Sequence, residues 1–470
     1  MIECEVKEMN FREEINRYQE DMLNDLNTLV QVESTRDLST AAEHAPFGKN
    51  CRKVLDHVLA IGQRDGFQTE DIDGYAGLIT YGQGTETFGI LGHMDIVPIG
   101  DDWTKEPLQV TLKDGYLFGR GVLDDKGPFM AAYYAVKMIR DLHIPLKKRI
   151  MMIAGCDEES GMSCIEYYKK HAEIPQTGFV PDADFPVIYG EKGGLHVSLK
   201  SHDHTVIEKL NAGSRPNIVI GKADCYVKTI SPQQRKLFDF YCAANHIQGT
   251  IKETEGSVQL HIDGVFSHAA MPWLGINAAM HLLNYVGIAY GDQLANDLYS
   301  ILYDWQGKPM DLCQNGMYMG FLTLNVGMIR MENDETSVLL DIRYPNDTNA
   351  QEIMDHINQA CEALPSKVEA HLDSDMVPLF VDPDSDLVNT LMDAYRKYTG
   401  DTFSCPITIG GGTYARMFDH FVSYGPVMPR EQKTTDDFVG GCHQRDEGIK
   451  LDDLLTAAAI YAEAIVRLCQ

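Results

Sequence analysis

Adjacent glutamates, Glu158 and Glu159, close an apolar run that reads Met151-Met152-Ile153-Ala154-Gly155-Cys156-Asp157. Neighbouring carboxylates repel, so both ionise only where a cation or strong donors stand beside them. Upstream lie Gly92-His93-Met94-Asp95 and Gly119-Arg120-Gly121-Val122-Leu123-Asp124-Asp125-Lys126-Gly127. Downstream lie Pro181-Asp182-Ala183-Asp184 and Gly441-Cys442-His443. Two imidazoles and several carboxylates, mostly at the ends of expected strands, form the donor set of a hard-to-borderline divalent cation. His93 and Asp95 are two apart, so on extended backbone they share a face. A ligating histidine commonly hands its second ring nitrogen to a carboxylate. The pattern is that of a metal-dependent hydrolase.

Each motif has an ordinary explanation when taken singly. Asp124 or Asp125 would cap the helix that follows, Asp182 would be a turn residue beside Pro181, and His443 would be a loop histidine. Cys442 reads as a buried bystander rather than a ligand or nucleophile. The metal reading rests on all the motifs occurring in one chain.

The elements that must position them alternate. Apolar residues at helical spacing predict an amphipathic helix over 11–31. Residues 79–97 read as two strands joined by Tyr81-Gly82-Gln83-Gly84, a helix follows Pro128 over 129–139, and a strand covers 149–154. This alternation predicts an α/β catalytic domain with a central mixed sheet flanked by helices. Between 192 and 375 the texture changes to period-two strands, such as 257–264 and 335–344, with helices near 277–285 and 350–363. That stretch reads as an inserted α+β lid domain. The expected organisation is 1–191 and 376–470 for the two parts of the catalytic domain, with helices over 385–398 and 451–468, and 192–375 for the lid.

The 470 residues are 44% hydrophobic and 23% charged, an ordinary globular balance. A formal charge of −29 argues against nucleic acid and anionic membrane surfaces as partners. No apolar run approaches the roughly 20 residues of a membrane span, and the charged start, Met1 to Glu8, has no signal-peptide core. Eleven cysteines without a close CxxC pair fit reduced thiols, so a cytoplasmic location is expected.

Taken in order, the blocks around His93, Asp124, Glu158-Glu159, Asp182 and His443 resemble the dinuclear metallopeptidase family that includes carboxypeptidase G, aminoacylase and carnosinase. Within it, the chain is similar to the PepV-type (Xaa-His or carnosine-type) dipeptidases. That likeness is carried by Gly100-Asp101-Asp102-Trp103-Thr104, Pro181-Asp182-Ala183-Asp184-Phe185-Pro186, Arg215-Pro216-Asn217, Asp341-Ile342-Arg343-Tyr344-Pro345 and Gly411-Gly412-Thr413-Tyr414-Ala415-Arg416. Asp184 stands where the family more often has Glu. The likeness extends over nearly the whole chain.

The resemblance implies roles residue by residue. His93 and Asp182 would hold one divalent cation, Glu159 and His443 a second, and Asp124 would bridge them, with zinc or manganese as the metals. Asp95 would orient His93, Glu158 would be the general base, and the Asp124–Asp125 peptide would be cis. Asn217 and His268 would reach from the lid to stabilise the oxyanion. Arg343 would bind the substrate's terminal carboxylate, or else form a salt bridge to Asp341. Gly411 and Gly412 would let backbone amides approach the substrate. The implied activity is hydrolysis of unblocked dipeptides; an N-acyl amino acid deacylase is the alternative on the same scaffold. A catalytically silent protein is disfavoured because no proposed ligand or base is missing. The large lid would take the place of a dimer partner, leaving the enzyme a monomer.

Overall fold

The computed structural model describes residues 9–254, 256–429 and 435–470. Residues 1–8, read above as lacking a signal segment, lie outside the described residues. The chain divides into two compact units. The first comprises Met1–Tyr189, Val381–Ile407 and Gly412–Gln470, the second Gly190–Phe380 and Thr408–Gly411. Thr408–Gly411 joins the second unit from far along the chain because the Lys192 N–H donates to the Ile409 carbonyl at 2.9 Å.

The first unit is built on a mixed sheet. Its strands are β1 (Gln68–Ile72), β2 (Ala76–Tyr81), β3 (Thr87–His93), β4 (Arg149–Gly155), β5 (Thr177–Val180), β6 (Ile188–Glu191) and β7 (Phe421–Ser423). They lie in the order β1-β2-β4-β3-β5-β7-β6. β4, β3, β5 and β7 run parallel, while β1, β2 and β6 run antiparallel to their neighbours. Every residue of β3 is buried, as expected of a central parallel strand covered on both faces. Helices α1 (Gln19–Val30), α2 (Lys49–Arg64), α3 (Lys126–Asp141), α4 (Ser163–His171), α5 (Asp386–Thr399) and α6 (Leu451–Cys469) flank the sheet.

Two helix boundaries differ from the sequence expectation for identifiable reasons. α3 begins at Lys126, ahead of Pro128, because a first-turn amide has no helical partner and a proline there forfeits nothing. The helix expected over 11–31 is Phe11–Glu14, a tightened 3₁₀ turn at Ile15–Tyr18, and then α1. Apolar spacing does not register one tightened turn.

The second unit carries an eight-stranded sheet in which all neighbours are antiparallel. Its order is Gln248–Thr254, Ser257–Asp263, Lys222–Val227, Ile207–Ala212, Thr323–Glu332, Glu335–Tyr344, Gly193–Ser201 and Glu369–Met376. Alternation sorts its side chains, with Leu195, Val197, Leu324, Leu340 and Ile342 in the apolar core that also takes in Leu282, Leu283 and Ile353 of the helices. The residues between them face the other way. Helices Pro232–Ala244, Gln293–Leu302 and Ala350–Glu362 complete the α+β unit together with Ala278–Tyr290.

One buried charge ties three helices of the first unit together. Asp25 of α1 accepts two hydrogen bonds from Arg64 of α2, at 2.7 and 2.8 Å, and one from the Tyr134 hydroxyl of α3 at 2.6 Å. Asp25→Ala leaves the Tyr134 phenol without its acceptor and Arg64 with Asp65 alone, and is expected to destabilise the first unit by about 1–3 kcal/mol. A lowered thermal midpoint checks this.

Candidate metal centre

Three parallel strands deliver the site at their carboxyl ends, where α/β sheets place ligands. β3 ends at His93, and the Met94 N–H continues to the Gly155 carbonyl at 2.8 Å. β4 ends at Gly155 and leads into Asp157, Glu158 and Glu159. β5 ends at Val180, two residues before Asp182. Asp124 and Asp125 precede α3, and the peptide joining them is cis.

The capping explanation for this Asp pair does not hold, since Asp125 makes no side-chain cap to α3. Its Oδ2 accepts the His93 N–H at 3.0 Å, while its Oδ1 is buried with no hydrogen-bond partner among the described residues. Gly92 makes this approach feasible, because a Cβ there would overlap the Asp125 carboxylate.

Asp124 stands between the two imidazoles. His93 Nε2 lies 2.9 Å from its Oδ1 and His443 Nε2 lies 3.1 Å from its Oδ2. Glu159 is 3.1 Å from His443 Nε2, and Asp182 Oδ2 is 3.6 Å from His93 Nε2. The structure therefore brings all five expected ligands together. Ligand atoms of His93, Asp124 and Glu159 lie within 4.8 Å of one another.

Electrostatics shows what this cluster lacks. Burial pushes the carboxyls of Glu158, Glu159 and Asp182 upward, and neighbouring carboxylates add to the rise. Burial also acts against the charged form of His93, but hydrogen bonds to Asp124, Asp182 and Asp95 outweigh it and raise His93 well above its usual value. His443 is raised to about 10, chiefly by its hydrogen bonds to Asp124 and Glu159. Burial raises Asp124 as well, yet its bonds to His443 and His93 leave it lowered. The carboxylates thus draw positive charge onto the imidazoles. Two neutral imidazoles and three carboxylates around divalent cations satisfy the same demand, so the residues present fit a metal centre.

Asp95 meets His93 through its backbone as well as through its carboxylate. The nearest partner of His93 Nδ1 is the Asp95 backbone carbonyl at 2.9 Å, with the carboxylate at 3.5 Å. That carboxylate accepts the N–H groups of Glu158 and Glu159 at 3.2 and 3.1 Å. Asp95 therefore clamps the two motifs to one another as well as steadying the ring.

Glu447 was not singled out in the sequence. Buried, it accepts the N–H groups of Gly121, Leu123 and Asp124 through Oε1 at 2.9, 3.0 and 3.2 Å. Its Oε2 takes Arg120 Nη1 at 2.7 Å. One carboxylate thus shapes the loop that carries Asp124. Its surroundings in sequence, Gln444-Arg445-Asp446, look like a solvated turn, and nothing local marks it as buried. Asp446 accepts the N–H groups of Thr104 and Lys105 at 2.8 and 3.1 Å, anchoring the same segment.

Asn217, His268, Arg343 and Gly411 belong to the second unit and Gly412 to the first. Asn217 and His268 are neighbours there: the Ala269 N–H donates to the Asn217 carbonyl at 2.9 Å, and Ile218 bridges His268. Arg343 makes the salt bridge to Asp341 that the sequence left open, through Nε at 2.6 Å and Nη2 at 2.8 Å. A Cβ at Gly411 would meet only the Ile409 side chain, at 3.8 Å. At Gly412 a Cβ would collide with the Arg416 guanidinium where it now lies.

These features make a candidate metal centre on a mixed α/β sheet. The Peptidase family M20/M25/M40 profile matches residues 89–467. The chain belongs to this metallopeptidase family, which implies divalent metal ions, and is a peptide-bond hydrolase. It is 35% identical over 480 aligned residues to “Putative dipeptidase YtjP” of Bacillus subtilis (strain 168), covering 98% of this chain and 100% of that protein. “Putative dipeptidase SAB1611c” of Staphylococcus aureus (strain bovine RF122 / ET3-1) is 36% identical over 476 residues, covering 98% and 99%. Among solved structures, human carnosine dipeptidase 1 shares the fold with a TM-score of 0.57 at 16% identity, covering 97% of this chain and 98% of that one. No helix among the described residues is long and apolar enough to cross a membrane.

Glu447→Ala removes the acceptor of three loop amides, that of Asp124 among them, and leaves every proposed ligand side chain in place. Metal affinity is expected to fall about 10- to 100-fold, as for losses of groups that orient ligands. Calorimetric titration of metal-stripped protein with Zn²⁺ or Mn²⁺ measures this.

Proposed function

We propose that the chain is a dinuclear metallo-dipeptidase that hydrolyses unblocked dipeptides. The observation that carries this reading is the placing of Asp124, one carboxylate oxygen toward each imidazole. His93 and Asp182 would hold one divalent cation, Glu159 and His443 the other, and Asp124 would serve both. Bound there, zinc or manganese would polarise the scissile carbonyl and acidify the attacking water.

The chain's own residues do the rest. Glu158 follows β4 beside Glu159, and both backbone amides are held by Asp95. Burial raises its carboxyl, with Asp182, Glu159 and Asp124 adding to the rise. A carboxylate with raised basicity suits a general base, which takes the proton of the attacking water and then passes it to the leaving amine. Asn217 and His268 would stabilise the oxyanion. Arg343 would receive the substrate's terminal carboxylate on the Nη1 side, since Asp341 occupies its Nε–Nη2 edge. Gly411 and Gly412 would let backbone amides approach the substrate closely. The names of the full-length relatives support the dipeptide assignment. A reducing, cytoplasmic setting is supported by the ten cysteines of the described residues, all of them free. A monomer remains the reading drawn from the size of the insertion.

Chelation is expected to abolish turnover, and Zn²⁺ or Mn²⁺ to restore it. Glu158→Gln should lower kcat by at least about 10²-fold with metal content retained, whereas Glu159→Gln should lose metal. Exchanged behaviour of the two variants would exchange ligand and base.

Substrate class is tested by comparing one dipeptide with its C-terminally amidated and N-acetylated forms. The free dipeptide should be cleaved fastest, and Arg343→Ala should erase most of the preference for a free carboxylate. Fast cleavage of acetylated amino acids with little action on free dipeptides would identify a deacylase instead.

A further inference from the structure

In the second unit, the sheet face turned away from the apolar core carries two short polar rows. Cross-strand pairing aligns Thr323, Arg343 and Gly194 in one row and Asn325, Asp341 and His196 in the next. Thr323, Asn325, Asp341 and Arg343 are all buried, so each polar contact they make has a definite geometry to satisfy.

Asp341 grips Arg343 side-on, and its Oδ2 also lies 3.6 Å from His196 Nε2. A fork bound along one edge has its plane fixed and presents Nη1. Across the strand pair, Gly194 leaves that nitrogen uncovered, since a Cβ there would stand 3.3 Å from Nη1.

Asn325, paired directly with Asp341, reaches a different segment. Its Nδ2 donates to the Pro216 carbonyl at 2.9 Å and the Ile218 carbonyl at 3.2 Å, the two carbonyls flanking Asn217. Thr323, paired with Arg343, donates its hydroxyl to the Ala269 carbonyl at 3.3 Å, next to His268. The same two rows therefore hold the guanidinium on one side and the backbone displaying Asn217 and His268 on the other.

We infer that Asp341 and Asn325 are positioning residues for substrate length. Asp341 fixes the guanidinium of Arg343, Asn325 fixes the backbone of Asn217, and the strand register between them sets the separation of carboxylate anchor and oxyanion donors. The inference rests on the roles proposed above for Arg343, Asn217 and His268. It assigns a function to two buried polar residues that touch no substrate. Displacement of a contacting group by about 1 Å can change rates by about 10²-fold, so loss of either anchor has a kinetic signature of its own.

The test is a set of steady-state profiles on metal-loaded enzyme with one dipeptide and its C-terminal amide. Asp341→Ala should raise KM for the free dipeptide about 10-fold or more while leaving kcat and the amide's kinetics near those of the parent. Asp341→Asn should be partly rescued, because the amide oxygen still accepts from Nε. Asn325→Ser should show the opposite split, with kcat falling on both substrates and KM holding. Gly194→Ala, which crowds Nη1 and leaves both anchors in place, reads the same KM effect if Asp341→Ala fails to fold.

Equal losses on acid and amide in the Asp341 and Gly194 variants, or a KM that stays or falls, would overturn the inference. So would an Asn325→Ser variant whose kcat is unchanged. If Arg343→Ala itself leaves the acid-to-amide ratio unchanged, the clamp fails and this inference with it. If only the Asp341 and Gly194 variants leave that ratio unchanged, the clamp stands and this inference alone is lost.

Discussion

Mutual repulsion among crowded, largely desolvated carboxylates is the constraint on which the first unit depends. Asp124, Glu158, Glu159 and Asp182 converge at the ends of parallel strands with His93 and His443 among them. Left to themselves, like charges this close would drive the loops apart or take up protons. The surrounding backbone resists the first outcome. Asp95 binds the amides of the glutamate pair, Glu447 binds those of the Asp124 loop, and Asp125 binds that of His93. Each support is itself an acid that accepts backbone N–H groups, so the scaffold around the proposed ligands is also acidic. Divalent cations held there would relieve the repulsion and meet the demand that the raised imidazoles register.

The candidate ligand set stood out because its chemistry is local. A His, an Asp or a paired Glu at the end of an apolar strand advertises itself by residue type, and the five positions converge in the first unit as their order implied. Arg343 was legible with its ambiguity intact, since Asp341 two residues earlier shares its face of a strand. Its salt bridge answers that ambiguity in part: one edge of the guanidinium is taken and the other remains.

What the sequence hid depends on distant chain segments. Glu447 meets Arg120 and the Asp124 loop across more than 320 positions, and no local pattern marks an acid in a polar run as buried. Thr408–Gly411 joins the second unit through a backbone bond to Lys192, which carries no side-chain signal. α2 was not assigned, although Val54, Leu55, Val58 and Leu59 line its buried stripe.

The central claim is that one carboxylate, Asp124, serves two cations at once. Loading metal-stripped protein with Mn²⁺ and recording its electron paramagnetic resonance tests this directly. The account predicts two Mn²⁺ per chain with the spectrum of an exchange-coupled pair, and loss of that coupling in Asp124→Asn. One Mn²⁺ per chain at saturation, or two that give only isolated-ion signals, would contradict it.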